Sequence, residues 1–501
     1  MSCNRPHVVL QCEIITCMNI KSLGSMLYST PRTLLFFYAV LILLLSTVIF
    51  SFGFVLNIPA LLITATFTLF VWFVVIFISL LPRADVILQN QMRRLKRGAL
   101  IIFSALFVIG VLVAVMVGII IPHAIQNRNT SRDLRQLLTG VQRDYGYNDG
   151  TILSKQAVEN LLHGQNPYAN SNIIEALLQY NGTYDRVTPL RVGSFYDVFP
   201  YPTENQLQQL WGKAVQTPSK IPPEIESKVC YPAGSFLLPA PFVFLGISDI
   251  RIVYAVFFLA GLAYAVWIIP KKKRLLFIGV VLISLELWNS IFSGGELGNL
   301  YFPFLLIAWL ALNRNLRLSV ICMGIAVTTK QTAWFFLPFY LILLFRTYGI
   351  KKLLAGMSVI AAIFVVTNLP FALGDLRLWF ASITSPMTDL MFPNGMGLIT
   401  LVASGLVKIR SSLPFTFLEV VAFIAAIIWY FNYCRRYPQT GLILAILPLF
   451  FAWRSMFPYF FYVDIIALAY IMANEGDVLQ KILHGSNQPD NKSEITAAAV
   501  D

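Results

Sequence analysis

Apolar residues run almost unbroken through positions 34–56, 58–81 and 99–121. Each run is about twenty residues, the length a helix needs to cross about 30 Å of hydrocarbon. A helix satisfies its own backbone hydrogen bonds, which is the condition for crossing lipid. Polar sequence with many turn formers fills 123–234, and apolar runs then resume at 252–269, 275–292, 300–312, 318–345, 353–373, 413–433, 441–451 and 457–473. The pattern predicts an all-α membrane protein of roughly ten to thirteen transmembrane helices. It places a large extracytoplasmic loop between the third and fourth hydrophobic segments. The chain divides into a cytoplasmic N-terminal segment (1–33), a two-helix addition with a basic cytoplasmic loop (34–98), a transmembrane core (99–473) containing the loop 123–234, and a polar cytoplasmic tail (474–501). The run at 34 follows a long polar lead and is followed at once by a second run, so it is expected to remain as an anchor rather than leave as a signal peptide.

Within the loop, residues 154–162 place Ala157, Val158, Leu161 and Leu162 on one helical face. Gly164 fits a C-terminal cap, and Asn172 with Glu175 opens a second short helix in the manner of a capping box. Residues 375–394 read as a further external loop, and the tail after Asn474 reads as disordered. The segment 235–246 is short and carries Pro239 and Pro241. If it crosses the bilayer, the cluster Lys271-Lys272-Lys273-Arg274 falls outside; if it only dips in, the cluster falls on the cytoplasmic side, which the distribution of positive charge favours.

Composition sharpens this picture. The chain is 57% hydrophobic and 12% charged, half the roughly 25% charge of an ordinary soluble domain. The net charge of +13 suggests a nucleic acid until its placement is considered. The basic residues gather at the ends of apolar runs, as in Arg93-Arg94-Leu95-Lys96-Arg97 and Arg435-Arg436. Such clusters set topology and meet anionic lipid, so membrane lipids are expected partners and nucleic acid is not. The six cysteines show neither a disulfide framework nor metal-type spacing.

Ionisable residues at membrane depth are costly and are functional candidates. They are Glu286, Glu296, Lys330, Glu419, Arg454 and Asp464, with an internal ion pair or snorkelling to an interface as the plainer reading. Lys330 and Arg454 sit at breaks between short apolar runs, where a cation could meet a lipid-linked phosphate. In the loop, Asp149 precedes an amphipathic helix, His163 follows it, and Tyr231-Pro232 marks re-entry toward the membrane.

The order Asp149, then Gly164-Gln165-Asn166-Pro167-Tyr168, then Tyr231-Pro232, then Thr329-Lys330-Gln331-Thr332-Ala333-Trp334 with Pro338, then Arg454-Ser455 before Tyr459 resembles the C-type (GT-C) membrane glycosyltransferases. The likeness is to their polyprenyl-phosphate-dependent, mannosyltransferase-like branch. That resemblance implies transfer of a sugar, mannose among the options, from a polyprenyl-phosphate donor to an envelope lipid or glycan acceptor on the extracytoplasmic face of the cell membrane, with inversion. It implies Asp149 as general base, Lys330, Arg454 and His163 around the donor phosphate, and Tyr168, Tyr231, Gln331, Trp334 and Glu296 along the substrate groove. The chain departs from the family at Gly295-Glu296, where an Asn-Asp or Gly-Gln pair is usual. Asp144 and Asp149 are too far apart for the family's tight acidic pair, so no cofactor or required metal is expected.

Two rivals remain. A secondary transporter would also explain broken helices and buried charges, although such folds show two related halves and this chain shows no internal repeat. A catalytically inactive relative that binds a lipid-linked sugar is the other.

Overall fold

The computed structural model describes residues 31–56, 58–85, 147–180, 182–292 and 295–485, with isolated positions between 87 and 112. The third hydrophobic run, as a segment, and the loop from 123 to 146 lie outside the described residues, as does residue Asp144.

The chain opens with a helical hairpin, α1 (Pro31–Val55) and α2 (Pro59–Leu80). Pro59 begins α2 where a missing backbone N–H costs nothing. The described part of the polar segment contributes three α-helices: α3 (Asp149–Leu162), α4 (Ile173–Gln179) and α5 (Glu204–Gln216). Helix α3 begins five residues earlier than its apolar face predicts, because Asn148 accepts the Thr151 N–H and caps the turn ahead of that face. Gly164, at φ 73°, ends it as expected. Asn172 caps α4 through the N–H groups of Ile174 and Glu175. Its own N–H is taken by Gln156 rather than by Glu175, so only half of the capping box forms.

The segment after re-entry forms two short helices, α6 (Gly234–Leu237) and α7 (Ala240–Phe244), and no full span. Its backbone lies hard against Thr328, and a Cβ at Gly234 would sit 2.5 Å from that residue's carbonyl oxygen. The bundle continues with α8 (Ile250–Ile268), α9 (Lys271–Ile283), α10 (Leu285–Phe292), α11 (Gly298–Ala311), α12 (Leu316–Thr329) and α13 (Thr332–Gly374). Helix α13 is two limbs. Gly349, at φ 77°, breaks it, and Leu344 on the first limb packs against Gly356 on the second, so the chain doubles back. Then come α14 (Leu376–Thr388), β1 (Asn394–Gly395), α15 (Thr400–Ala403), α16 (Leu413–Tyr433), α17 (Thr440–Ile446), β2 (Arg454–Ser455) and α18 (Phe461–Gly485). The two strands pair in parallel, Asn394 with Arg454 and Gly395 with Ser455.

Two expectations are corrected here. Residues 376–388 are helical rather than loop, started by the Asp375 carboxylate accepting the Leu378 N–H. Helix α18 continues past Asn474 to Gly485, so the polar tail is helical in its first part.

Six helices among the described residues are long and apolar enough to cross a membrane, with four shorter apolar helices beside them. Large apolar side chains face outward around the bundle, including Phe67, Val256, Val366, Phe417 and Ile428. A surface of that kind has no stable contact with water and matches a lipid-facing girdle.

The bundle has two chemically distinct ends. At one, Arg32 pairs with Asp85, and Lys273 lies within electrostatic reach of both. Gln439 donates to the Leu80 carbonyl, Arg314 to the Ala473 carbonyl at 2.8 Å, and Arg435 to the Arg346 carbonyl. Lys271–Arg274 thus shares the end where α1 begins, as the dipping alternative requires. At the other end, Tyr147 donates to Asp249 at 2.8 Å and Arg251 closes on the same carboxylate at 2.7 Å, fixing the polar segment over the start of α8.

The hairpin α1–α2 is locked to α18. Trp72 donates its indole N–H between both carboxylate oxygens of Asp464, at 3.1 Å to each, and both side chains are buried.

Candidate functional site

Asp149 is the first residue of α3, half-buried at the polar end of the bundle. One carboxylate oxygen accepts the Gly150 N–H at 2.7 Å, and the other accepts the hydroxyl of Thr188. An ionised carboxylate offers about four acceptor positions, so two remain for an incoming hydroxyl.

Next to it, Asn148 uses both ends of its amide. The oxygen caps α3, and the nitrogen donates to Glu296 at 3.2 Å. The second oxygen of Glu296 receives Lys330 at 2.6 Å. Lys330 follows α12 directly, in extended conformation, and is 6% exposed. An ammonium so deeply buried retains its charge only with a partner. Lys330 is therefore committed to Glu296 rather than left open for a phosphate. The rings of Tyr231 and Tyr301 stand 5.8 and 5.9 Å from its nitrogen and complete a cage around it.

Arg454 is placed differently. Among the described residues it has no carboxylate partner; its guanidinium touches the sulfur of Met391 at 3.2 Å. It also lies within electrostatic reach of Tyr201 and Tyr459. Tyr201 senses Asp149 as well: burial pushes its phenol up, Arg454 opposes, and the Asp149 charge adds. Asp149, Glu296, Lys330 and Arg454 thus converge at one end of the bundle.

The segment that holds Thr188 is a small three-part ladder. Pro189 bridges Ile225, Leu190 bridges Met391, and Glu226 donates its N–H to the Thr188 carbonyl at 2.9 Å. The ladder carries a second, unforeseen acid. Glu226 is 6% exposed beside Asp389, which Lys228 engages at 2.6 Å. Burial first, then the hydrogen bond and charge of Asp389, push the Glu226 carboxyl up to about 8. The nearby Cys230 thiol, likewise raised by burial, feels both Glu226 and Asp149. Sequence offered no signal for Thr188, Glu226 or Asp389, which are ordinary loop residues until the ladder joins them.

The other expected residues fall outside this cluster. His163 is exposed at the far end of α3, roughly 20 Å from Asp149 at 1.5 Å per residue. Tyr168 is buried, donates to the Tyr231 carbonyl at 2.9 Å and packs edge-on against Phe236 and Phe371. Gln331 staples the carbonyls of Cys230 and Ile383, and Trp334 donates to the Val327 carbonyl. These three are fixed by internal contacts, whereas Tyr231 faces Gly150 and Lys330. Among the described residues no group of histidine, cysteine and carboxylate side chains is arranged to hold a metal ion.

Comparisons of the chain with protein-family models, with curated proteins and with solved structures find no match.

Proposed function

We propose that this chain is a multi-pass integral membrane glycosyltransferase that moves a sugar from a polyprenyl-phosphate donor to an envelope lipid or glycan acceptor at the extracytoplasmic end of the bundle. The observation that carries the reading is the convergence of a held but half-open carboxylate, Asp149, with Arg454, a cation that meets no carboxylate among the described residues, beneath a polar segment and above an apolar girdle.

In this reading the acceptor hydroxyl loses its proton to Asp149 as its oxygen attacks the anomeric carbon. The bond from that carbon to the phosphate oxygen breaks with its electron pair, and the lipid phosphate departs as an anion. A positioned base is worth about 10²–10⁴ in rate. A cation aimed at the departing oxygen stabilises charge as it develops, which is the task assigned to Arg454. Lys330, neutralised by Glu296, instead fixes α12 against the turn before α11.

One observation favours a second reading, a cation- or proton-coupled transporter. Glu286 and Asp464 line a narrow gap, about 10 Å³, between α1 and the ends of α10 and α18. The deciding experiment is sugar transfer by the purified full chain in lipid, with radiolabelled polyprenyl-phosphate hexoses and an envelope-lipid extract as acceptor. Transfer by wild type and its loss in Asp149→Asn support the enzyme and the base. Transfer by both variants removes the base assignment. No transfer by either, with pH-dependent solute uptake into proteoliposomes, moves the transporter forward.

A further inference from the structure

We infer that Thr188 is a positioning residue for the reaction: its hydroxyl fixes the rotation of the Asp149 carboxylate so that the open lone pairs face the acceptor. The inference rests on the glycosyltransferase reading and extends it to a residue that touches neither donor nor acceptor.

Asp149 stands at the first position of a helix, where its side chain is held by little else. The Gly150 N–H secures one oxygen, but a single bond from the adjoining residue leaves the carboxylate free to turn about it. The Thr188 hydroxyl secures the other oxygen from a segment 39 residues away in sequence. Two anchors on different elements define a plane, and one does not.

The anchor is itself immobilised. The Thr188 carbonyl accepts Glu226, Leu190 donates to Glu224 at 2.8 Å, and Arg191 donates to Leu390 at 2.6 Å. The same ladder reaches the phosphate side of the site. Met391, bridged to Leu190, accepts the Trp453 indole at 2.8 Å on its carbonyl and meets Arg454 on its sulfur. Base and cation are thereby referenced to one small scaffold. A misplacement of about 1 Å in a reacting group can cost about a hundredfold in rate, and a hydrogen bond to a charged group is worth enough to account for about ten- to a hundredfold.

The test compares Thr188→Val, which keeps the shape and removes the hydroxyl, with Thr188→Ser, which keeps the hydroxyl. Both are assayed beside Asp149→Asn in the full chain in lipid, with polyprenyl-phosphate hexoses at varied concentration. The expected result is a fall in kcat of about ten- to a hundredfold for the valine variant, with KM and Tm near wild type, and recovery by serine. A valine variant with wild-type kcat while Asp149→Asn is inactive overturns the role of Thr188 and leaves the enzyme reading intact. A lowered Tm that serine does not restore marks a purely structural contact and also overturns it. An active Asp149→Asn variant, or a wild type that transfers nothing, removes the base or the enzyme reading and takes this inference with it.

Discussion

Lys330 and Glu296, 34 residues apart, close an ion pair of 2.6 Å at the mouth of the bundle. Their side chains are only 8% and 20% exposed. Removing one member of such a pair leaves an uncompensated charge and costs about 3–5 kcal/mol. Lys330→Met and Glu296→Gln should each lower Tm in detergent, while the double variant should recover much of the loss. Equal losses that simply add would show that the two do not interact.

Arg454 should behave in the opposite way. Its charge is not matched by any carboxylate among the described residues, so Arg454→Ala should leave Tm within a few degrees. Transfer should nevertheless fall by about 10²–10³ if it stabilises the departing phosphate. Arg454→Lys should recover only part, because it keeps the charge and loses the planar fork. Kinetics and thermal unfolding on the same preparations check both halves.

Glu226 predicts a pH dependence. Its carboxyl is raised in the folded protein to about 8, so the folded state holds a proton that the unfolded chain releases in the ordinary carboxylate range. That contribution to stability is complete below the ordinary range, and it is lost as pH rises toward 8. Tm of wild type should therefore decline between about pH 5 and pH 8 more steeply than that of Glu226→Gln. Parallel profiles for the two proteins would show that Glu226 is not the group responsible.

His163 offers a negative control. It is exposed, and among the described residues its ring bonds only the Glu159 carbonyl of its own helix. His163→Ala should leave both transfer and Tm unchanged, and a large loss of transfer would return it to the donor site.

Sequence and structure agree most closely where a long apolar run decides the matter. Residues 413–433 read as a span and form α16 with those bounds. Agreement fails where composition and capping conflict. Residues 376–388 include Pro386 and several hydroxyl residues, yet the Asp375 cap and a buried face at Ser382, Ile383 and Ser385 make them helical. At the site, Arg454 is legible as a charge at a break between apolar runs, and Asp149 as a loop acid before an amphipathic helix that the family resemblance singles out. The commitment of Lys330 to Glu296 was not, because opposite charges in separate breaks carry no mark of pairing until α11 and α12 pack together. Thr188 was least legible of all, since a hydroxyl residue in a loop gains meaning only from the backbone ladder that aims it.

The contact between Trp72 and Asp464 spans 392 positions, so α2 finds this partner only on α18, made long after it. Among the described residues the indole of α2 meets no other acceptor, and Asp464 meets no other donor within an apolar interior. Assembly of this contact is then ordered in time: the hairpin is made first, and the junction closes only when α18 packs against it.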